Sequence, residues 1–129
     1  HSIVYSRQRA GYDDYTDGAR TELQPAQQVL VRYHPAGRKA LYLASHAARV
    51  IGWPEAEGRA LLDELTEFAT QAKFTYAHHW RAHDLMIWDN RCTMHRSRPY
   101  PDTTERRVMQ RTTVSDEINS VERRAAEAA

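Results

Sequence analysis

The sequence lacks most of what would place it outside an ordinary folded domain. It holds a single cysteine, Cys92, among 129 residues, so no internal disulfide can form. A lone thiol fits a reducing, cytoplasmic setting. An excess of one charge is also missing: 18 basic side chains face 17 acidic ones, a net charge of +1. That excludes the broad basic field with which nucleic-acid binders gather phosphates. The arginine-rich run "MHRSRPY" is accordingly not read as a nucleic-acid patch. No apolar run approaches the ~20 residues of a membrane span. No charged-then-apolar leader opens the chain, so no secretory signal is expected. The first residue is His1, not Met, as at a processing or fragment boundary. Repeats and low-complexity tracts are absent. What remains is enough chain for one domain with a modest core.

Periodicity divides that chain into short elements. Residues 1–27 are polar and rich in Gly and Tyr without a sustained period, and read as an extended connection with a short helix before Pro25. "QQVLVRYH" alternates as a strand does, "PAGRK" turns the chain, and "KALYLAS" supplies a second strand, together a hairpin. "WPEAEGRALLDELTEFATQ" is the one clear helix. Pro54 suits its first turn, Glu55 and Glu57 favour the positive end of its dipole, and Leu61, Leu62, Leu65, Phe68 and Ala69 share a face. "KFTYAHHW" places Phe74, Tyr76, His78 and Trp80 on one side of a strand; "DLMIWDN" and "ERRVMQRTTV" read as two more. The alanine-rich, charged residues 115–129 are expected to form a peripheral helix outside a domain spanning residues 1–114. Many short strands around one helix predict a mainly β fold, an antiparallel sandwich or barrel with a helical insertion.

Chemistry concentrates late in the chain. In "WDNRCTMH" a turn of Trp88, Asp89 and Asn90 leads to His95, and imidazole is the commonest ligand for a borderline metal. In "ERRVMQR" Arg107 and Arg111 stand four apart, which on a strand puts them on one face with Met109 and Thr113, about 13 Å from each other. Two guanidinium forks on an inward face need anions to meet them, and each can hold a carboxylate through two parallel hydrogen bonds. A metal ligand followed by two such forks points to a dianionic co-substrate or to two separate acids. His78, His79 and His83 resemble a metal cluster only by eye; their spacing alternates faces, so they are expected to be surface or core residues. Trp88 is read as core packing, and Cys92 as a small buried residue.

The runs "WDNRCTMH" and "RRVMQRTTV", with "VRYHPAGRKALYLASHA" and "HHWRAHDLMIWDNR" upstream, resemble the iron(II)- and 2-oxoglutarate-dependent dioxygenases of the taurine dioxygenase type. The "HPAGRKALYLASHA" and "WDNRCTMHR" runs look closest to the branch acting on aryloxyalkanoates such as 2,4-dichlorophenoxyacetate. The resemblance implies a double-stranded β-helix (jelly-roll) fold, with Fe(II) as cofactor and 2-oxoglutarate as co-substrate. It implies O2 and a small-molecule carboxylate as the other partners, and leaves room for a homo-oligomer. By the same resemblance, His95 matches the distal histidine of the metal triad and Arg107 the arginine that pairs with the far carboxylate of 2-oxoglutarate. Arg111 matches the arginine near the metal end, where the substrate's acid lies. His46 in "LASHA" matches a substrate-pocket histidine, and His34 lies in a similarly proposed position.

One departure stands against these matches. The triad needs a His-x-Asp pair on an earlier strand, and no histidine here has an aspartate two residues later; His83 is followed directly by Asp84. The co-substrate threonine of the family, also upstream, has no counterpart. The chain is therefore expected to be the C-terminal half of such an enzyme, inactive alone and prone to associate through open sheet edges. The intact enzyme would hydroxylate an aliphatic carbon; where that carbon bears an ether oxygen, the hemiacetal collapses to a phenol and a keto acid. The alternatives are a taurine, sulfonate or sulfate ester dioxygenase, since an arginine fork accepts either anion, and a truncated remnant that folds without catalysis.

Overall fold

The structure, a computed structural model, describes residues 1–12, 18, 23–34, 36–101 and 103–114. It opens with a helix that the sequence reading did not foresee. Helix α1, Ile3–Arg9, is capped by Ser2, whose Oγ accepts the Tyr5 N–H at 3.2 Å. It stops at Gly11, which takes φ +84°. The Gly11 N–H returns to the Gln8 carbonyl at 3.0 Å and the Tyr12 N–H to that of Arg7 at 2.9 Å, the paired closure that a left-handed glycine permits. No residue of α1 is fully buried. The expectation of an extended opening stretch fails because caps at both ends fix this helix, with no apolar stripe to announce it.

The hairpin is present, with shorter strands than the alternation implied. Strand β1, Val31–Tyr33, pairs antiparallel with β2, Lys39–Leu41, with Val31 opposite Leu41 and Tyr33 opposite Lys39. The turn closes through His34 N–H to the Arg38 carbonyl at 2.8 Å and Gly37 N–H to the His34 carbonyl at 2.8 Å. Gly37 holds φ +78°, a conformation that glycine adopts without penalty.

Helix α2, Glu55–Ala69, falls inside the predicted segment, with Pro54 at its N-cap rather than in its first turn. It docks on the residues after β2. Leu43, Ala47 and Leu62 are buried, and Leu30, Leu41, Val50, Leu65 and Ala69 pack around them. Gly58 allows the approach: a Cβ there would stand 3.2 Å from the Val50 Cβ and 3.3 Å from its backbone nitrogen. Arg59 ties the layers together. It donates to the Ala47 carbonyl at 2.7 Å and grips Asp63 at 2.9 and 3.1 Å, while Arg9 of α1 reaches the same carboxylate at 3.3 Å. Phe68, expected on the apolar face, is half exposed and meets Phe74 at 5.3 Å between ring centres.

Downstream, the expected strands do not form ladders. "KFTYAHHW" begins in a 3-10 turn, Ala72–Phe74, and runs on extended. Residues 85–88 and 105–114 carry no paired strand either. Among the described residues the only sheet is the two-stranded hairpin. Alternation gives a segment two faces, but a strand is completed only by hydrogen bonds from a neighbour, and these segments meet none. In the first of them part of the expected facing is present. Tyr76, His78 and Trp80 line up ring to ring, with centres 6.0 and 4.7 Å apart. Leu85, Ile87, Val108 and Val114 are left exposed. The helix expected over residues 115–129 lies outside the described residues. No helix of the described chain is long and apolar enough to cross a membrane.

The small core sets a clear mutational contrast. Leu62→Ala, at 3 % exposure, should cost about 2–4 kcal/mol in a denaturant melt, and Phe68→Ala, at 50 %, less than half of that.

Candidate functional site

The turn at Asp89–Thr93 is built around one residue. The Asp89 carboxylate accepts the Arg91 backbone N–H at 2.8 Å and the Arg91 guanidinium through Nε at 2.9 Å and Nη2 at 2.7 Å. Its carbonyl accepts the Thr93 N–H at 3.0 Å, the Thr93 hydroxyl at 2.6 Å and the Cys92 N–H at 3.3 Å. Aspartate suits this place because its short carboxylate reaches backbone two residues on. The Arg91 fork and N–H, with a smaller contribution from His34, hold the Asp89 acid far below the ordinary carboxylate range. Outside the turn, His34 Nε2 lies 3.3 Å from Asp89 Oδ2 and so joins the hairpin to it.

His95 follows this turn, exposed, with its ring 4.8 Å from that of Trp88. The Trp88 indole N–H donates to the Asn90 side-chain oxygen at 2.8 Å. Trp88, expected in the core, is only partly covered. Arg107 and Met109 lie on one side of their segment, Arg107 Nε standing 2.8 Å from Met109 Sδ, and the guanidinium faces the Tyr100 ring at 5.6 Å. Arg111 lines a shallow depression of about 480 Å³ with Gln110 and Thr112. His46 is exposed beside α1; its Nδ1 lies 3.2 Å from the Ser6 hydroxyl and its carbonyl accepts the Ser2 N–H at 2.7 Å. Among the described residues, no hydrogen bond or ion pair joins any two of His95, Arg107, Arg111 and His46. What the sequence did not disclose is the link between His34 and Asp89, whose only sequence signal was the turn-forming Asp-Asn pair.

Among the described residues, two imidazoles and a carboxylate do not come together as an iron site would need. Among the described residues, the one cluster able to share an ion is His34, Asp89 and Cys92, with ligand atoms within 4.8 Å, and His95 is not part of it. Its chemistry opposes a cation. Asp89 is already neutralised by the Arg91 fork. His34 Nδ1 accepts the Ala36 N–H at 3.1 Å, which places the imidazole proton on Nε2, where a metal would have to bind. His78 pairs with Asp84 at 2.9 Å. Cys92 is partly buried and its thiol points at the Asp89 carbonyl, 3.8 Å away.

Comparison with known proteins decides the lineage. Residues 1–113 match the family described as "Taurine catabolism dioxygenase TauD, TfdA family". The chain belongs to the TauD/TfdA dioxygenase family. It is 44 % identical over 119 residues to the alpha-ketoglutarate-dependent 2,4-dichlorophenoxyacetate dioxygenase of Cupriavidus pinatubonensis, covering 92 % of this chain and 42 % of that protein. It is 46 % identical over 114 residues to the enzyme of the same description from a Burkholderia species, covering 88 % and 38 %. The chain thus spans about two fifths of these TauD/TfdA relatives. Among solved structures, AAD-2 in complex with Mn(II) and N-oxalylglycine superposes with a TM-score of 0.86 at 46 % identity, over 93 % of this chain and 48 % of that one. Such structural neighbours are jelly-roll dioxygenases.

The lowered pKa of Asp89 gives the turn a testable pH range. Because the folded pKa lies below the ordinary 3.8, the stabilisation is fully present above that value and is lost only as the pH falls through the depressed one. In an acid titration followed by NMR, the Arg91 amide and Nε–H resonances should hold from neutrality to about pH 4 and move only in stronger acid. A midpoint at the ordinary carboxylate value would show that the Arg91 fork does not grip Asp89 in solution.

Proposed function

We propose that the chain is the C-terminal part of a jelly-roll dioxygenase dependent on Fe(II) and 2-oxoglutarate, one that hydroxylates a carboxylate-bearing aryl ether resembling 2,4-dichlorophenoxyacetate. The observation that carries this is the identity of 44–46 % across about nine tenths of the chain to relatives described by that activity. The Mn(II) and N-oxalylglycine held by AAD-2, the latter a 2-oxoglutarate analogue, support the cofactor and co-substrate. In this reading His95 supplies one metal ligand, and the remaining imidazole and carboxylate come from sequence outside this chain. The exposed edges of residues 75–114 are where the rest of the jelly roll would pair, and a cytoplasmic setting suits the single free thiol. Bound together, Fe(II), 2-oxoglutarate and O2 supply the oxidation, and succinate and CO2 are released.

The residues of the chain contribute binding and orientation. Among the described residues neither Arg107 nor Arg111 pairs with a carboxylate, so both forks are open to anions. Arg107 would hold the far carboxylate of 2-oxoglutarate, and its contacts with Met109 and Tyr100 would be remade around that anion. Arg111 would hold the substrate's acid, and His46 would help to orient it. Distant relatives described as an alkylsulfatase from Acinetobacter baylyi and a sulfate ester dioxygenase from Pseudomonas putida, at 29 % and 33 % identity, keep a sulfate ester substrate as the second reading.

Two measurements on the intact enzyme test these roles. Arg107→Ala should raise the 2-oxoglutarate requirement far more than Arg106→Ala, because neighbours on an extended segment face opposite ways; loss of the fork should cost about 2–5 kcal/mol. Equal effects would show that the facing assigned here is wrong.

Succinate release and phenol formation should be followed with aryloxyacetates, an alkyl sulfate and taurine offered side by side. Aryloxyacetates should yield phenol. Arg111→Lys should fail to restore this turnover, since a point charge loses the second hydrogen bond. His46→Ala should weaken turnover with 2-oxoglutarate affinity nearly unchanged. Turnover of taurine or the alkyl sulfate without phenol from any aryl ether would overturn the substrate class and leave the family standing.

A further inference from the structure

The hairpin and the turn preceding His95 are joined by two side chains to which the dioxygenase reading gives no firm task. We propose that His34 and Asp89 form a strut that positions His95, and that His34 acts through Asp89 rather than on substrate. The inference deepens the reading above and rests on it only where turnover is concerned.

His34 is fixed before it meets Asp89. Its backbone N–H donates to the Arg38 carbonyl at 2.8 Å, and its carbonyl accepts the Gly37 N–H at 2.8 Å. Its ring Nδ1 accepts the Ala36 N–H at 3.1 Å. With that lone pair occupied, the neutral ring carries its proton on Nε2, the nitrogen that lies 3.3 Å from Asp89 Oδ2. Both ring nitrogens are therefore in use, and the second is in use against an anion. A histidine so engaged has neither a free donor nor a favourable field for a substrate carboxylate. The same two facts, with the Arg91 fork on Asp89, exclude a cation between them.

From Asp89 the constraint passes on to His95. The carboxylate and the carbonyl of Asp89 together gather Arg91, Cys92 and Thr93 into one turn. Trp88, one peptide unit before Asp89, has its indole tied to Asn90 at 2.8 Å and its ring against His95 at 4.8 Å. A shift of Asp89 must therefore move both the indole on which the imidazole leans and the start of the segment that carries it. An imidazole serving as a ligand or as an acid-base group works only if its orientation is held from behind. What His34 adds to that support is one N–H donor at a fixed place, which a glutamine amide can supply and a leucine cannot.

The test uses the intact protein and begins with a readout independent of activity. The ring 1H–15N resonances of His95, assigned by their loss in His95→Gln, should move in His34→Leu and in Asp89→Ala and return to their original positions in His34→Gln. In turnover, His34→Leu should lower kcat roughly tenfold with KM for an aryloxyacetate changed less than about twofold, and His34→Gln should recover most of it. If His34→Leu leaves the His95 resonances in place, the strut is refuted. It is equally refuted if His34→Gln fails as His34→Leu does and KM for the aryl acid rises in both, which would make His34 a substrate ligand. Should the resonances behave as expected in a protein that turns over no aryl ether, the strut stands and the substrate assignment falls.

Discussion

Backbone amides and carbonyls must find partners, and in this chain that demand separates what folds locally from what cannot. A helix meets it internally. Ser2 and Gly11 close α1, and α2 needs only Pro54 before it and Leu62 turned inward. A strand meets it only with a neighbour, and the hairpin is the one place where a neighbour lies a turn away. From Thr75 onward the described chain has no ladder, and Leu85, Ile87 and Val108 are exposed in segments patterned to be half-buried. Among the described residues the core is accordingly small: Leu43, Ala47 and Leu62 and the side chains that lean on them. The TauD/TfdA relatives are more than twice as long, and the chain spans about two fifths of them.

Electrostatics divides the charged residues in a comparable way. Asp89 is saturated by the Arg91 fork, by backbone and by His34, so it holds a shape and has nothing left to offer a ligand. The pKa of Asp63 is likewise held below its ordinary value, chiefly by Arg59 and secondarily by Arg9, and its carboxylate ties α1 to α2. Arg107 and Arg111 are the opposite case, charged forks without a carboxylate among the described residues. An acid with all its lone pairs used is architecture, whereas a guanidinium without an acid is a place for one to arrive. Residue type alone misleads here, since Asp89, Cys92 and His34 together look like a metal site until their hydrogen bonds are followed.

Much of the fold was legible where the signal is local. The hairpin and α2 followed from alternation, a glycine turn and one apolar face, and the alignment of Tyr76, His78 and Trp80 followed from period two alone. Helix α1 was missed because none of its residues is fully buried; its signals were the caps, Ser2 and Gly11, which carry no periodicity. The strands expected at 73–80, 84–90 and 105–114 form no ladder, because a ladder depends on what lies alongside; of their expected facing, the alignment of Tyr76, His78 and Trp80 and the contact of Arg107 with Met109 are present. Of the candidate site, His95, Arg107 and Arg111 were singled out by residue chemistry and spacing, while their roles, and His46 altogether, came from resemblance to a family. The contact of His34 with Asp89 could not be read at all: nothing in the neighbourhood of either residue in sequence says that a hairpin end and a distant turn will meet.

The packing of Trp88 against His95 also has an optical consequence. An indole in van der Waals contact with an imidazole loses excited-state energy readily when that ring becomes a cation, and a paramagnetic or heavy ion bound to the same ring quenches it further. At 4.8 Å between ring centres, Trp88 is close enough for both effects. Trp80 sits at 4.7 Å from His78 and would show the first effect on its own account, while Trp53 has no histidine ring among its aromatic contacts in the described chain. The protein therefore carries its own fluorophore beside the imidazole proposed as a metal ligand, and the emission of Trp88 would report on what that imidazole holds without any label being added.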